Sequence, residues 1–315
     1  MILDFFKKNT IVLVLLLYFV IAIIFTYPLV LNLNSSIFAV SGDAFGTLHN
    51  FWQLKTQSIE LTFPNSPIYI GLAKLGSMLF GEVITYNLFI LLSFILTGLA
   101  GYLLVKKITS NSLAGFFGGL ILVLAPFRLA HASEHLNFAD LSWLLFFIYY
   151  LLLSQEKPVL KNILLTGLFF TITTLFNYQY GFFALVILMI FFLFNLLKNK
   201  LQIWKVDKKV LGYLIITAII SISVISIFNY QAIKDFVGIQ KQEESQALPI
   251  RSKAELEVYS AKWFYYYTPS PDNPLFGRLT SDRFEEAENQ TGSNLTEMTL
   301  YLGWIPILLM AYSLW

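Results

Sequence analysis

The chain has 315 residues, 57% hydrophobic, 17% aromatic and 13% charged, whereas a water-soluble domain carries about a quarter charged residues; with a mean hydropathy of +0.68, it is not a soluble globule. Lysine and arginine number 21 against 19 acids, a formal net charge of +2, which is too even for a protein that grips nucleic acid. Without a single cysteine there is no disulfide framework, thiolate metal site or cysteine nucleophile.

A bilayer-spanning helix needs about 20 apolar residues to cross about 30 Å of hydrocarbon with every backbone amide bonded internally. In chain order, the apolar runs over 10–31, 86–105, 113–130, 138–153, 163–176, 181–197, 210–228 and 299–315 predict an all-α integral membrane protein of about eight transmembrane helices. The first run is longer than a signal core and no small-residue cleavage motif follows, so it reads as a retained anchor. Residues 1–228 are expected to form a transmembrane, catalytic-type region with external loops at 32–82 and 131–140. Residues 229–298 form a long external segment. The run over 299–315 begins a further transmembrane region that we expect to continue past Trp315, because it ends on an apolar residue with no charged anchor.

Orientation follows from the lysines. If the N-terminus is cytoplasmic, the inner segments hold Lys7, Lys8, Lys106, Lys107, Lys157, Lys161, Lys198, Lys200, Lys205, Lys208 and Lys209. The shorter outer loops hold only Lys55, Lys74 and Arg128, the asymmetry expected of a multi-pass protein of the cytoplasmic membrane. Of the nineteen acids only Asp4, Glu156 and Asp207 then fall inside, while His49, His131 and His135 all fall outside. Titratable chemistry is thus expected at the extracytoplasmic face.

In the first external loop Phe45, Leu48, Trp52, Lys55 and Ile59 recur at helical spacing and predict an amphipathic helix lying on the membrane. Asp43 precedes it. Near a bilayer surface a carboxylate can serve as general base towards a hydroxyl; at a helix start it can equally be a cap. The turn over 131–140 is flanked by Arg128 and contains His131, Glu134, His135 and Asp140. Histidines four apart share a helix face and suit a metal ion, whereas a short interfacial turn needs polar residues in any case. Arg128 suits either bidentate grip on a phosphate or snorkelling to headgroups.

Tyr178 and Tyr180, in the turn that also holds Asn177 and Gln179, read as membrane-belt residues or as contacts to sugar or phosphate. In the long external segment a charged, helix-compatible stretch runs over 240–258 and an aromatic, proline-bearing one over 262–278. Trp263 and Tyr266 in the latter are candidates for stacking on sugar or prenyl groups. There is no Walker loop, no G-x-G-x-x-G, no G-x-S-x-G and no H-E-x-x-H, so nucleotide-driven pumping has no support.

Several short motifs follow one another in a fixed order: Gly42-Asp43 then Trp52, Tyr86-Asn87-Leu88, Ala125-Pro126-Phe127-Arg128-Leu129-Ala130, His135 with Trp143, Tyr180-Gly181, Tyr267-Thr268-Pro269-Ser270-Pro271 and Tyr301-Leu302-Gly303. From about Asp43 to Gly303 this order resembles the bacterial and archaeal multi-spanning glycosyltransferases of the GT-C class. The resemblance implies a hexosyl- or pentosyltransferase of the cell envelope that takes its sugar from a polyprenyl-phosphate carrier and passes it to a glycan, lipid or protein acceptor. It places the catalytic acid of the first external loop at Asp43. The second acidic position, which helps hold a divalent metal ion in metal-dependent members, would fall at Glu134 or Asp140, but the Asp-x-Asp or Glu-x-Asp form of those members is missing here. Substrate contacts are expected from Arg128, Glu134, His135, Tyr178, Tyr180, Trp263 and Tyr266. Two other readings share the aromatic outer face: a transporter or flippase for a lipid-linked sugar, which would favour charge buried mid-span or inverted repeats, and a non-enzymatic membrane scaffold.

Overall fold

A computed structural model describes residues 10–39, 42–56, 66–198, 208–230, 234 and 257–314, and all regular structure among them is helical. The expected helical stretch over 240–258 lies, but for its last two residues, outside the described residues. The same holds for Ile59 and for most of the lysine-rich 198–209 segment.

Helix α1 (Thr10–Thr26) is apolar on every face and buries one stripe, Val14, Tyr18, Ala22 and Thr26, at a spacing of four. It ends sooner than the expected run over 10–31, because the residue before Pro28 is pushed out of the helical region; a short 3-10 turn, Leu29–Leu31, follows. Helix α2 (Gly42–Thr56) is the expected amphipathic element: Ala44, Phe51 and Leu54 are buried while Phe45 and Trp52 face outward. The loop expected over 32–82 holds a second helix that periodicity did not announce, α3 (Pro67–Phe80), started by a proline at its first turn. Only Gly81 separates it from α4 (Glu82–Thr109). Its φ of 85° is a backbone state that a residue with a Cβ resists, and it allows two helices to meet at one residue.

Helix α4 is the axis of the molecule. It packs against α1, α2 and α3, and also against α5 (Ser112–Val123), α7 (Leu136–Ala139) and α8 (Ser142–Glu156). Close approach to α1 and α5 rests on glycine: a Cβ on Gly98 would overlap the Tyr18 ring, and one on Gly119 would overlap the Tyr18 hydroxyl and the Gly98 carbonyl. The Tyr18 hydroxyl uses that space to donate to the Phe116 carbonyl at 2.8 Å. Helix α9 (Leu160–Phe176) packs on α8, and α10 (Tyr178–Lys198) and α11 (Lys208–Phe228) pack on α9. Helices α12 (Ser281–Thr291) and α13 (Leu295–Met298) precede α14 (Trp304–Leu314).

Four helical stretches are long and apolar enough to cross a membrane: Glu82–Thr109, Leu136–Glu156, Tyr178–Asn195 and Val210–Phe228. The expected span over 113–130 is instead a broken pair, α5 and α6 (Pro126–Ala132), bent by 49°. Pro126 removes a backbone donor and disfavours helix in the residue before it, so the chain turns at Leu124 and Ala125. Thr10–Thr26, Leu160–Phe176 and Trp304–Ser313 are apolar but shorter. At 1.5 Å per residue a 17-residue helix reaches about 26 Å, less than the hydrocarbon thickness. The α4 window is 56% buried within the protein and that of α11 only 11%. Water would penalise α11's exposed leucines and isoleucines and lipid would not.

Candidate functional site

Asp43 stands in the first turn of α2, one residue inside the helix rather than at its cap. Helix α2 is held in place by Phe51, whose ring meets those of Tyr69, Tyr86 and Phe89 at 5.9, 6.4 and 5.9 Å. Lys55 pairs with Glu82 at 3.3 Å, tying the far end of α2 to α4. With the helix fixed this way, the Asp43 side chain projects outward, 72% exposed, and its Oδ2 lies 3.0 Å from His135 Nε2.

His135 is brought there by the tight turn that closes α6: its backbone N–H donates to the His131 carbonyl at 2.7 Å. The turn folds the two imidazoles onto one another, with their Nδ1 atoms 3.0 Å apart. His131 is buried, with the rings of Phe127 and Phe138 at 4.3 and 5.4 Å. The four-residue spacing that suits a metal ion therefore serves a nitrogen–nitrogen hydrogen bond. Among the described residues no three His, Asp or Glu side chains are arranged to hold a metal ion, so the residues present do not fit the divalent site implied at Glu134 or Asp140.

Asp43, His131 and His135 line a cavity of about 850 Å³. Its other walls are Tyr178, Gln179, Tyr180, Phe182 and Phe183 from the start of α10, with Tyr259, Asn294 and Glu297 from between α11 and α14. Asn177 builds the α10 side, its Oδ1 accepting from the backbone of Gln179 and Tyr180 at 2.9 and 3.2 Å. The Tyr180 hydroxyl donates to the Phe138 carbonyl at 2.6 Å, and the Tyr178 hydroxyl donates to Asn229. The two tyrosines thus join α10 to its neighbours as well as facing the cavity.

Arg128 is placed differently from the expectation of a phosphate clamp. It is fully buried, with Nη1 donating to the Val123 carbonyl at 2.9 Å and Nη2 to the Ser93 hydroxyl at 2.6 Å. Its guanidinium lies 4.1 Å from the centre of the Phe94 ring. One position along a helix is a rotation of about 100°, so Phe127 and His131 face the cavity while Arg128 turns to α4. Asp140, also buried, accepts from the Ser142 backbone at 2.9 Å and starts α8. Glu134, half-buried, is not among the residues lining the cavity. Trp263 and Tyr266 lie away from it too: Trp263 packs on Tyr267 at 5.1 Å under the Arg283 guanidinium at 6.0 Å.

Sequence reasoning did not single out Phe127, Phe138, Tyr259, Asn294 or Glu297. Asn294 and Glu297 lie in a stretch without apolar periodicity, and only the tertiary fold brings them to the cavity.

No curated protein and no solved structure matches the chain. A family model described as a domain of unknown function (DUF6311) matches residues 66–249, a region that starts just before α3 and holds His131, His135, Tyr178 and Tyr180 but leaves Asp43 outside. More than half of the sequence falls within that match, and the chain belongs to the DUF6311 family.

Proposed function

We propose that this protein is a membrane glycosyltransferase that moves a sugar from a polyprenyl-phosphate carrier to a hydroxyl acceptor at the extracytoplasmic face, with Asp43 as general base. In this reading all of the expected spans cross the cytoplasmic membrane, the N-terminus is cytoplasmic, and the acceptor is a glycan, lipid or protein. The observation that carries it is a carboxylate, hydrogen-bonded to His135, at the wall of a cavity at one end of an apolar helical bundle.

A cavity of about 850 Å³ lies within the range of small-molecule sites, about 300–1,000 Å³. Phe182 and Phe183 give it an apolar lip on α10, a helix with large apolar side chains facing outward, where a prenyl chain would pass from bilayer to site. In the reaction Asp43 takes the proton of the acceptor hydroxyl as its oxygen attacks the anomeric carbon. The bond from that carbon to the phosphate oxygen breaks, and the phosphate leaves with the electron pair, so no strong acid is needed. Among the described lining residues there is no lysine or arginine, and the side-chain amides of Gln179 and Asn294 are donors on the wall.

The test is transfer or release of sugar by purified, membrane-reconstituted protein supplied with polyprenyl-phosphate sugars. Asp43→Asn keeps the side chain's shape but removes the base, so turnover should fall by about 10²-fold or more at unchanged thermal stability. No turnover with any such donor, or Asp43→Asn activity within about threefold of the parent, refutes the proposal.

A further inference from the structure

We infer that His131 is a positioning residue: its Nδ1–H fixes His135 as the Nε2–H tautomer, so that His135 donates to Asp43 and holds the carboxylate aimed at the cavity. This rests on the reading of Asp43 as the base.

The direction of the chain follows from counting protons. An ionised carboxylate only accepts hydrogen bonds, so the 3.0 Å contact between Asp43 Oδ2 and His135 Nε2 requires the proton on Nε2. A neutral imidazole carries one N–H, which leaves His135 Nδ1 with a lone pair. That nitrogen is 3.0 Å from His131 Nδ1. Two lone pairs at this distance repel and two N–H groups collide, so one proton lies between them and it belongs to His131. Both hydrogen bonds run towards Asp43.

The surroundings favour this job. His131 is buried and packed by Phe127 and Phe138, so its ring is a fixed donor, whereas the Asp43 side chain is mostly exposed and depends on its partner for orientation. The other ionisable groups near the pair are Glu134 in the same turn, Glu297 and the phenols of Tyr178, Tyr180 and Tyr259, which line the cavity, and the buried Arg128 and Asp140. Among the described residues His131 is the only hydrogen-bond partner of His135 Nδ1. Without it, a second tautomer becomes accessible in which a lone pair on Nε2 faces the carboxylate and repels it.

The chain has three histidines, so ring-nitrogen labelling gives a spectrum simple enough to assign by single substitutions, with His49 as internal reference. Protein labelled with ¹⁵N-histidine, in nanodiscs at a pH about 1.5 above the ordinary histidine value near 6.5, should show His135 protonated at Nε2 and His131 protonated at Nδ1. His131→Phe keeps an aromatic ring in the slot and should turn His135 into a tautomer mixture. His131→Asn presents an amide N–H where Nδ1–H stood and should restore the single tautomer. In the transfer assay kcat should fall about fivefold to tenfold in His131→Phe, the worth of one hydrogen bond, with KM unchanged, and should recover within about threefold in His131→Asn. His135 protonated at Nδ1 in the parent protein, an unchanged His135 spectrum in His131→Phe, or His131→Asn behaving like His131→Phe would each overturn the inference. The spectra need no turnover: the expected tautomers without any transfer would sink the glycosyltransferase reading and leave the hydrogen-bond chain standing.

Discussion

Arg128 illustrates how a single residue type can mislead at the residue scale. An arginine next to a polar turn at the membrane surface has the chemistry of a phosphate clamp, yet its guanidinium is spent on the Val123 carbonyl, the Ser93 hydroxyl and the Phe94 ring. Removing the side chain leaves the Val123 carbonyl and the Ser93 hydroxyl without their buried donor, at about 1–3 kcal/mol for each unsatisfied group, and opens a cavity beside Phe94. Arg128→Ala should therefore lower the thermal midpoint sharply, with poor recovery from the membrane. A phosphate clamp would instead show a raised KM for the donor at unchanged stability, and that outcome would return Arg128 to the cavity. Glu297 has the opposite character: half-buried on the short helix α13 and lining the same cavity as Asp43. Glu297→Gln is predicted to raise KM severalfold with little change in thermal midpoint, a split that steady-state kinetics beside a melting curve would read directly.

Among the elements, α4 binds the rest together through a seam of small residues. Gly98 and Gly101 on α4 meet Gly119 and its neighbours on α5 backbone to backbone, and the Tyr18 ring closes the seam from α1. Without a hydrophobic drive between helices in lipid, such close approach is a main source of association. Gly119→Val has no slack to occupy, because the nearest atoms are the Gly98 carbonyl and the Tyr18 hydroxyl. We predict a loss of about 1–3 kcal/mol from overpacking, seen as a lowered unfolding midpoint in detergent. A valine tolerated there at full stability would mean that the seam is looser than these contacts require. Helices α10 and α11 carry little of this load, since most of their side chains face outward.

The molecule as a whole sorts its polar groups to two ends. Asp43, His131, His135, Tyr178 and Asn229 gather at one. At the other, Lys107 pairs with Glu156 and the Gln155 amide donates to Asn195 at 2.6 Å. The orientation proposed above puts the first end outside. The absence of native cysteine permits a clean test: single cysteines at His49 and Glu156 should react with an impermeant thiol reagent from opposite sides of sealed vesicles. Labelling of both from the same side would overturn the sidedness and with it the extracytoplasmic site.

Apolar content, charge sidedness and the amphipathic stretch at α2 were legible in the sequence because each is a transfer free energy carried by the residue itself: Leu and Ile favour lipid wherever they are, and Lys resists crossing. The same local chemistry put Asp43, the histidines and the Tyr178–Tyr180 turn at one face. Which of them touch was decided only by the tertiary structure. Asp43 and His135 are 92 positions apart, and their contact depends on α2 being pinned through Phe51, on the bend before Pro126 and on the turn that folds His135 back over His131. The outward position of Trp263 and the arrival of Glu297 at the cavity have the same origin. Helix rotation and crossing are set by packing among distant side chains, a sum of many small contacts that no local pattern records.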